Sequence, residues 1–171
     1  CHIQVLREWH AREKSWDPFE YLEQLPLTLK LGDVTFVHSS PRDPLWEYLF
    51  VGEAYEDPEK LEGVFDFIER VCFCGHTHYP GAVMRAARTD YMSLPSRGVD
   101  FPIEVPAQWK AYVNVGSVGQ PRDEDTRAAY CEVRGTKPII HRVDYDYRPT
   151  IAKLQELPIH PRCAARLALG K

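Results

Sequence analysis

Val71-Cys72-Phe73-Cys74-Gly75-His76-Thr77-His78 decides how this chain is read. An apolar run ends at a glycine, and two histidines follow with one residue between them. If the backbone stays extended past Gly75, side chains alternate faces, so His76 and His78 point one way and Thr77 the other. Their β-carbons would then lie about 6.6 Å apart, two rises of a strand. That is too wide for one ion on a straight strand. It suits two imidazoles reaching for two ions about 3.5–4 Å apart, the spacing of paired-metal hydrolytic sites. The glycine lacks a Cβ where the chain leaves a sheet and must approach the site closely. The stretch reads as a metal-binding corner.

Two further segments support it. Val34-Thr35-Phe36-Val37-His38-Ser39-Ser40-Pro41 is a second apolar run ending in a histidine and turn residues. Tyr112-Val113-Asn114-Val115-Gly116-Ser117-Val118-Gly119 is a third, ending in Asn, Gly and Ser. Three buried-looking strands that each deliver polar groups at their C-terminal ends are what a site at the lip of a sheet requires.

A chain of 171 residues is one domain by length and can bury a real core. Its 44% hydrophobic and 27% charged content is that of a globular protein. A net charge of −4, with no basic, aromatic-lined stripe, argues against a nucleic-acid or anionic-membrane partner. No run of about 18 apolar residues predicts a membrane span, and no secretion signal opens the chain. Five cysteines, an odd number, do not make a disulfide framework. Reduced thiols in a cytoplasmic protein are the simplest reading. Cys72, Cys74, His76 and His78 also invite a four-ligand zinc site. Structural zinc takes its cysteines from a tight turn with about two to four residues between them. A Cys-x-Cys strand cannot easily bring both short side chains to one ion. Two small buried core residues explain the cysteines better.

Residues 1–14 carry Ile3, Val5, Leu6 and Trp9 at loosely helical spacing. Ser15 or Asp17 can cap a helix with Pro18 in its first turn, ending at Pro26. Leu27 to Leu31 alternates as a strand, and Gly32-Asp33 turns into the strand Val34–Val37. Pro58 to Arg70 predicts an amphipathic helix with Leu61, Val64, Phe65 and Ile68 on one face. It feeds the Val71–Cys74 strand as an αβ unit. A short strand is expected over Gly81 to Ala86, mostly loop over Leu94 to Pro106, and a strand over Ala111 to Val115. Ala128 to Val133 and Ile139 to Asp146 pair around Gly135-Thr136-Lys137-Pro138. Helices are expected from Pro149 to Leu157 and from His160 to Leu169, stopping at Gly170.

Val37-His38-Ser39-Ser40-Pro41, Cys74-Gly75-His76-Thr77-His78 and Asn114-Val115-Gly116-Ser117-Val118-Gly119-Gln120-Pro121-Arg122-Asp123 resemble, in that order, the last motifs of the calcineurin-like metallophosphoesterases. The resemblance also takes in Arg42-Asp43-Pro44-Leu45-Trp46-Glu47-Tyr48 and covers most of the chain. It implies an α/β (α+β) fold, a sandwich of two mixed β-sheets flanked by helices, with metals at the C-terminal ends of strands. His38 and His76 match ligands of one divalent ion and His78 a ligand of a second, with Mn, Fe, Zn or Ni as candidate metals. Asn114 and Ser117 correspond to a loop bordering the site. Arg42 and Arg122 are candidates to meet substrate phosphate, because a guanidinium fork suits its oxygens.

The family's opening motifs, Asp-x-His, Gly-Asp-x-x-Asp and Gly-Asn-His, are absent from this sequence. The resemblance therefore implies that residues 1–171 are the C-terminal part of one metallophosphoesterase domain lacking about its first third. The expected function is metal-dependent hydrolysis of a phosphomonoester or phosphodiester by a water that two metals activate. The chain alone, with no bridging carboxylate, is expected to be inactive. The alternative is a non-catalytic metal-binding or scaffolding relative, and a nuclease of the same broad fold is a third reading. An incomplete sandwich would expose strand edges, so either an upstream segment or pairing between copies is expected over the gap.

Overall fold

The structure is a computed structural model and describes Glu8, Ala11 and residues 18–171. The helical spacing over residues 1–14 and the cap at Ser15 or Asp17 fall almost wholly outside those residues. A short helix α1 (Pro18–Glu23) leads into β1 (Thr28–Leu31) and β2 (Val34–Val37). They form an antiparallel hairpin, Leu31 opposite Val34. Helices α2 (Glu53–Glu56) and α3 (Pro58–Phe65) follow, then β3 (Val71–Cys74). Asp57 caps α3 by accepting the Lys60 N–H, with Pro58 at its first position. The chain continues through β4 (Gly81–Ala87), β5 (Asp90–Pro95), β6 (Asp100–Pro102), β7 (Lys110–Asn114), β8 (Ala128–Arg134) and β9 (Lys137–Val143). It closes with α4 (Arg148–Gln155) and α5 (Arg162–Leu169).

Two sheets result. The first is mixed, in the order β1-β2-β3-β7-β4-β5. The second, β6-β9-β8, is antiparallel. At the centre of the first sheet β2, β3 and β7 run parallel. Their C-terminal ends, Val37, Cys74 and Asn114, therefore share one edge. The period of two along β3 divides the core. Cys72 and Cys74 face α3 with Leu61, Val64 and Phe65, while Val71 and Phe73 face the second sheet with Ile103 and Ile140. Every residue of β3 is buried, which is why the strand reads as a continuous apolar run.

The helix expected over Pro58 to Arg70 ends at Phe65, and three further expectations change. The 79–110 region holds a full hairpin, β4 on β5, plus the short β6, where mostly loop was expected after Leu94. Tyr91, Ser93 and Leu94 are half-buried on β5, and alternation that shallow left little trace in the sequence. The turn between β8 and β9 is two residues, not four. Gly135 takes φ 64° and lets Arg134 pair directly with Lys137, so Pro138 lies within β9. Gly75, expected to permit a close approach, has no such need: a Cβ there would meet nothing nearer than 3.9 Å. The close approach is at Gly116.

Gly116 has φ 80°, and a Cβ on it would come within 2.6 Å of Ala129 Cβ and 3.0 Å of Pro80 Cβ. Gly116→Ala should destabilise the protein by roughly 2–4 kcal/mol, combining overpacking with an unfavourable φ. Urea unfolding reads this as a lower midpoint with an unchanged m-value. An unchanged midpoint would contradict the packing described.

Candidate metal centre

The shared edge of β2, β3 and β7 delivers three loops to one place. His38 follows β2, and its carbonyl accepts the Gly75 N–H at 3.0 Å. The Val115 N–H donates to the Cys74 carbonyl at 2.8 Å. The three strand ends are thereby tied laterally just before the polar residues begin. His38, His76 and His78 all line one open cavity of about 580 Å³, walled by Phe36, Phe73 and Val115.

The backbone does not stay extended past Gly75. The Thr77 N–H donates to the Gly75 carbonyl at 2.7 Å across His76, and His76 has φ 59°. This is the strained, positive-φ form of the γ-turn. His78 has φ 67°. Left-handed backbone at a residue with a Cβ costs on the order of 1–3 kcal/mol and persists only where the surroundings over-determine it. Here they do. Thr77 is buried, and its Oγ1 accepts a hydrogen bond from Asn114 Nδ2 at 2.8 Å. The same amide donates to the Gly75 carbonyl at 2.5 Å, and Asn114 Oδ1 accepts the Gly116 N–H at 2.9 Å. Thr77 turns inward and both histidines face the cavity, as alternation implied, but through a tight corner instead of a strand.

The three imidazoles are not equivalent. His38 Nε2 and His76 Nδ1 are 2.9 Å apart. Two nitrogens on one tetrahedral ion, each about 2.0–2.1 Å from it, would be roughly 3.3 Å apart. A shift of a few tenths of an ångström would bring this pair onto one ion. His76 Nε2 is buried with no hydrogen-bond partner. His78 is engaged differently, with its Nδ1 2.6 Å from the Gln120 carbonyl. A carbonyl only accepts, so Nδ1 carries the proton and the lone pair of the neutral ring sits on Nε2. A ring N–H held by a backbone carbonyl is the usual support of a metal-bound histidine. Among the described residues no three His, Cys, Asp or Glu side chains converge closely enough to enclose an ion together. The arrangement is a close pair, His38 and His76, with His78 lining the same cavity.

Burial holds His76 below its usual protonation range, and the positive charges of His38 and Arg122 add to this. The Trp46 carbonyl and Asp43 offset part of it. Burial likewise lowers His78, against the pull of the Gln120 carbonyl. Neutral imidazoles are the form that binds metal. The zinc reading of the cysteines fails on geometry: Cys72 and Cys74 pack into the core against α3, and among the described residues they join no group of three ligands that could hold an ion. Burial pushes the Cys72 thiol up to about 12 and Cys74 well above its ordinary value, as for small core residues.

The other candidates are placed unevenly. Asn114 is buried and its amide is fully engaged with the 75–77 corner and Gly116, so it positions the loops instead of meeting substrate. Ser117 Oγ accepts the Gln120 N–H at 2.9 Å, shaping the loop that reaches His78. The Arg42 guanidinium pairs with Glu47 and lies over Gly63 on α3. Glu47 also accepts from Ser40 Oγ, so Arg42 belongs to the brace of the 39–47 loop. Arg122 remains near the histidines. Tyr48 had no role assigned from sequence, yet its ring centroid lies 4.3 Å from that of His76. Its signal in the sequence was its place in the 42–48 segment that carries the resemblance.

No protein-family model matches the chain. It is 29% identical over 170 residues to an uncharacterized protein of Methanocaldococcus jannaschii, covering 95% of this chain and 64% of that protein. The crystal structure of a metallophosphoesterase from Sphaerobacter thermophilus superposes with a TM-score of 0.78 at 29% identity. That match covers 96% of this chain and 65% of the solved one. The chain thus spans a little under two thirds of the length of either relative.

Because both histidines hold protons less readily folded than unfolded, the unfolded chain takes up protons first as pH falls through its ordinary value of 6.5. In metal-free buffer the unfolding free energy should therefore decline between about pH 7 and pH 5, and these residues should add no slope above about pH 7. The His76→Gln/His78→Gln variant should show a shallower decline in urea unfolding across that range. An identical slope would refute the attribution.

Proposed function

We propose that this chain, a relative of the calcineurin-like metallophosphoesterases, is part of a metal-dependent phosphoesterase and supplies its histidine ligands. The observation that carries this reading is the His38–His76 nitrogen pair at 2.9 Å on a strained corner. His38 and His76 would hold one divalent ion, and His78 Nε2 would serve a second. Such ions supply Lewis acidity toward a phosphoryl oxygen and a hydroxide nucleophile near neutral pH. The protein's own residues do the rest. Asn114 fixes the angle of the 75–77 corner, and the Gln120 carbonyl fixes the tautomer of His78. Phe36, Phe73 and Val115 give the cavity low-dielectric walls, against which charge on a phosphate is felt strongly. Arg122 adds positive charge beside the histidines, where a phosphate ester would approach.

Among the described residues no carboxylate joins two of the histidines in a group that could hold an ion. The two-metal step and the phosphoesterase activity accordingly belong to the complete protein. A purely scaffolding role gives no reason to retain left-handed histidines, each a cost in stability.

Calorimetric titration of the protein with Mn or Zn should show binding that His38→Ala and His76→Ala each weaken by about 100-fold or more. The complete protein should hydrolyse bis(p-nitrophenyl) phosphate or p-nitrophenyl phosphate with Mn present, and His76→Ala should remove that activity. Full metal affinity in both alanine variants would end the assignment.

A further inference from the structure

A second cavity of about 900 Å³ adjoins the histidines and is lined by Arg122, Arg162, Arg166 and Lys171 together with Asp123 and Glu124. Four cations against two carboxylates leave it net positive in a chain whose formal charge is −4. The carboxylates are already taken. Asp123 pairs with the buried Arg142, and Glu124 lies 3.3 Å from Lys171 Nζ. Among the described residues Arg122 and Arg162 have no side-chain carboxylate partner, and Arg166 Nε donates to the Lys171 main-chain oxygen at 2.8 Å.

Three observations point this basin at an anion. Arg122 Nε is buried with no hydrogen-bond partner, while Nη2 donates to Gln120 Oε1 at 3.0 Å. An unanswered N–H at the buried Nε of this half-buried side chain is costly, and an acceptor toward which the side chain could turn would relieve it. Arg162 stands in the first turn of α5, where the helix dipole disfavours a cation, and no acidic residue offsets it. That turn and the arginine it carries attract the same negative charge. The basin also lies beside the histidine site. Tyr79, which follows His78, lines it, and the charge of Arg122 is felt at both His76 and His78. An exposed aromatic strip joins the two places: Tyr48 against His76, Phe50 against Tyr48 at 6.1 Å, and Tyr79 against Phe50 at 5.5 Å.

We propose that the Arg122–Arg162–Arg166 basin binds the second phosphoryl group of a substrate whose first is presented to the histidines. The substrate class is then an organic pyrophosphate or bisphosphate. This rests on the phosphoesterase reading for the first phosphate alone; the basin binds its anion with or without metal. Beyond the donors engaged with Gln120 and Lys171, the three guanidiniums keep N–H groups that suit phosphoryl oxygens, which a single phosphate at the histidines would leave unused.

The test uses inorganic pyrophosphate as the probe, by calorimetry on the protein in metal-free buffer at about 0.15 M salt, where long-range surface attraction is largely screened. The expected result is saturable binding that Arg162→Glu and Arg166→Glu each weaken by about 10-fold or more. The exposed-surface control Arg97→Glu should leave it unchanged. Arg162→Glu places an acid where the helix dipole favours one, so the helix is kept and lost binding is not lost folding. Pyrophosphate binding that ignores both substitutions, or that the control weakens equally, overturns the basin. Binding that survives His76→Ala but falls with Arg162→Glu upholds it even if metal binding fails the test above. The two readings therefore fail separately.

Discussion

The buried amide of Asn114 is the contact on which the candidate centre rests. It joins the Gly75 carbonyl, the Thr77 hydroxyl and the Gly116 N–H, three groups from two loops. A γ-turn of the strained hand does not hold itself. It is held here because the Gly75 carbonyl and the Thr77 hydroxyl meet a partner of fixed position in a low-dielectric interior, where such bonds are strong and their loss is expensive. Asn114 is itself the last residue of β7, paired with Cys74 in parallel register. The sheet thus sets the clamp and the clamp sets the histidines. That sequence of constraints delivers two imidazole nitrogens to 2.9 Å from separate strands.

The same architecture explains how an acidic chain presents a positive mouth. Its carboxylates are largely spent in local pairs, such as Asp125 with Arg127, Asp146 with Arg148 and Asp123 with Arg142. Arg122, Arg162 and Arg166, which make no side-chain ion pair among the described residues, line one basin where α5 meets the 120–125 loop. Formal net charge sums over a surface, whereas a ligand feels only what lies within about a Debye length. Excluding anionic partners from the total alone would therefore overlook this place.

What could be read beforehand followed period and punctuation. The apolar runs ending in His38, Gly75 and Asn114 located the three parallel strand ends, because buried parallel strands carry continuous hydrophobic runs. The α3 face and the stop at Gly170 were equally legible. Side-chain roles were less so. Asn114 looks like a ligand or substrate contact on paper, since nothing local tells a buried clamp from an exposed donor. Arg42 looked available because Glu47, five residues on, gives no sign of folding back over it. The hand of the backbone at His76 was illegible for a further reason. Left-handed geometry at a non-glycine residue is imposed by distant partners, here an amide 37 or more positions away, and local propensity argues against it.

Holding two histidines in a conformation that glycine or asparagine adopts more freely sets a direction for drift. While the imidazoles earn their keep, the corner stays as it is. Were the chemistry abandoned in some lineage, stability alone would favour glycine or asparagine at both positions. A homologue with those residues there would record relaxation from a former constraint, legible without any assay.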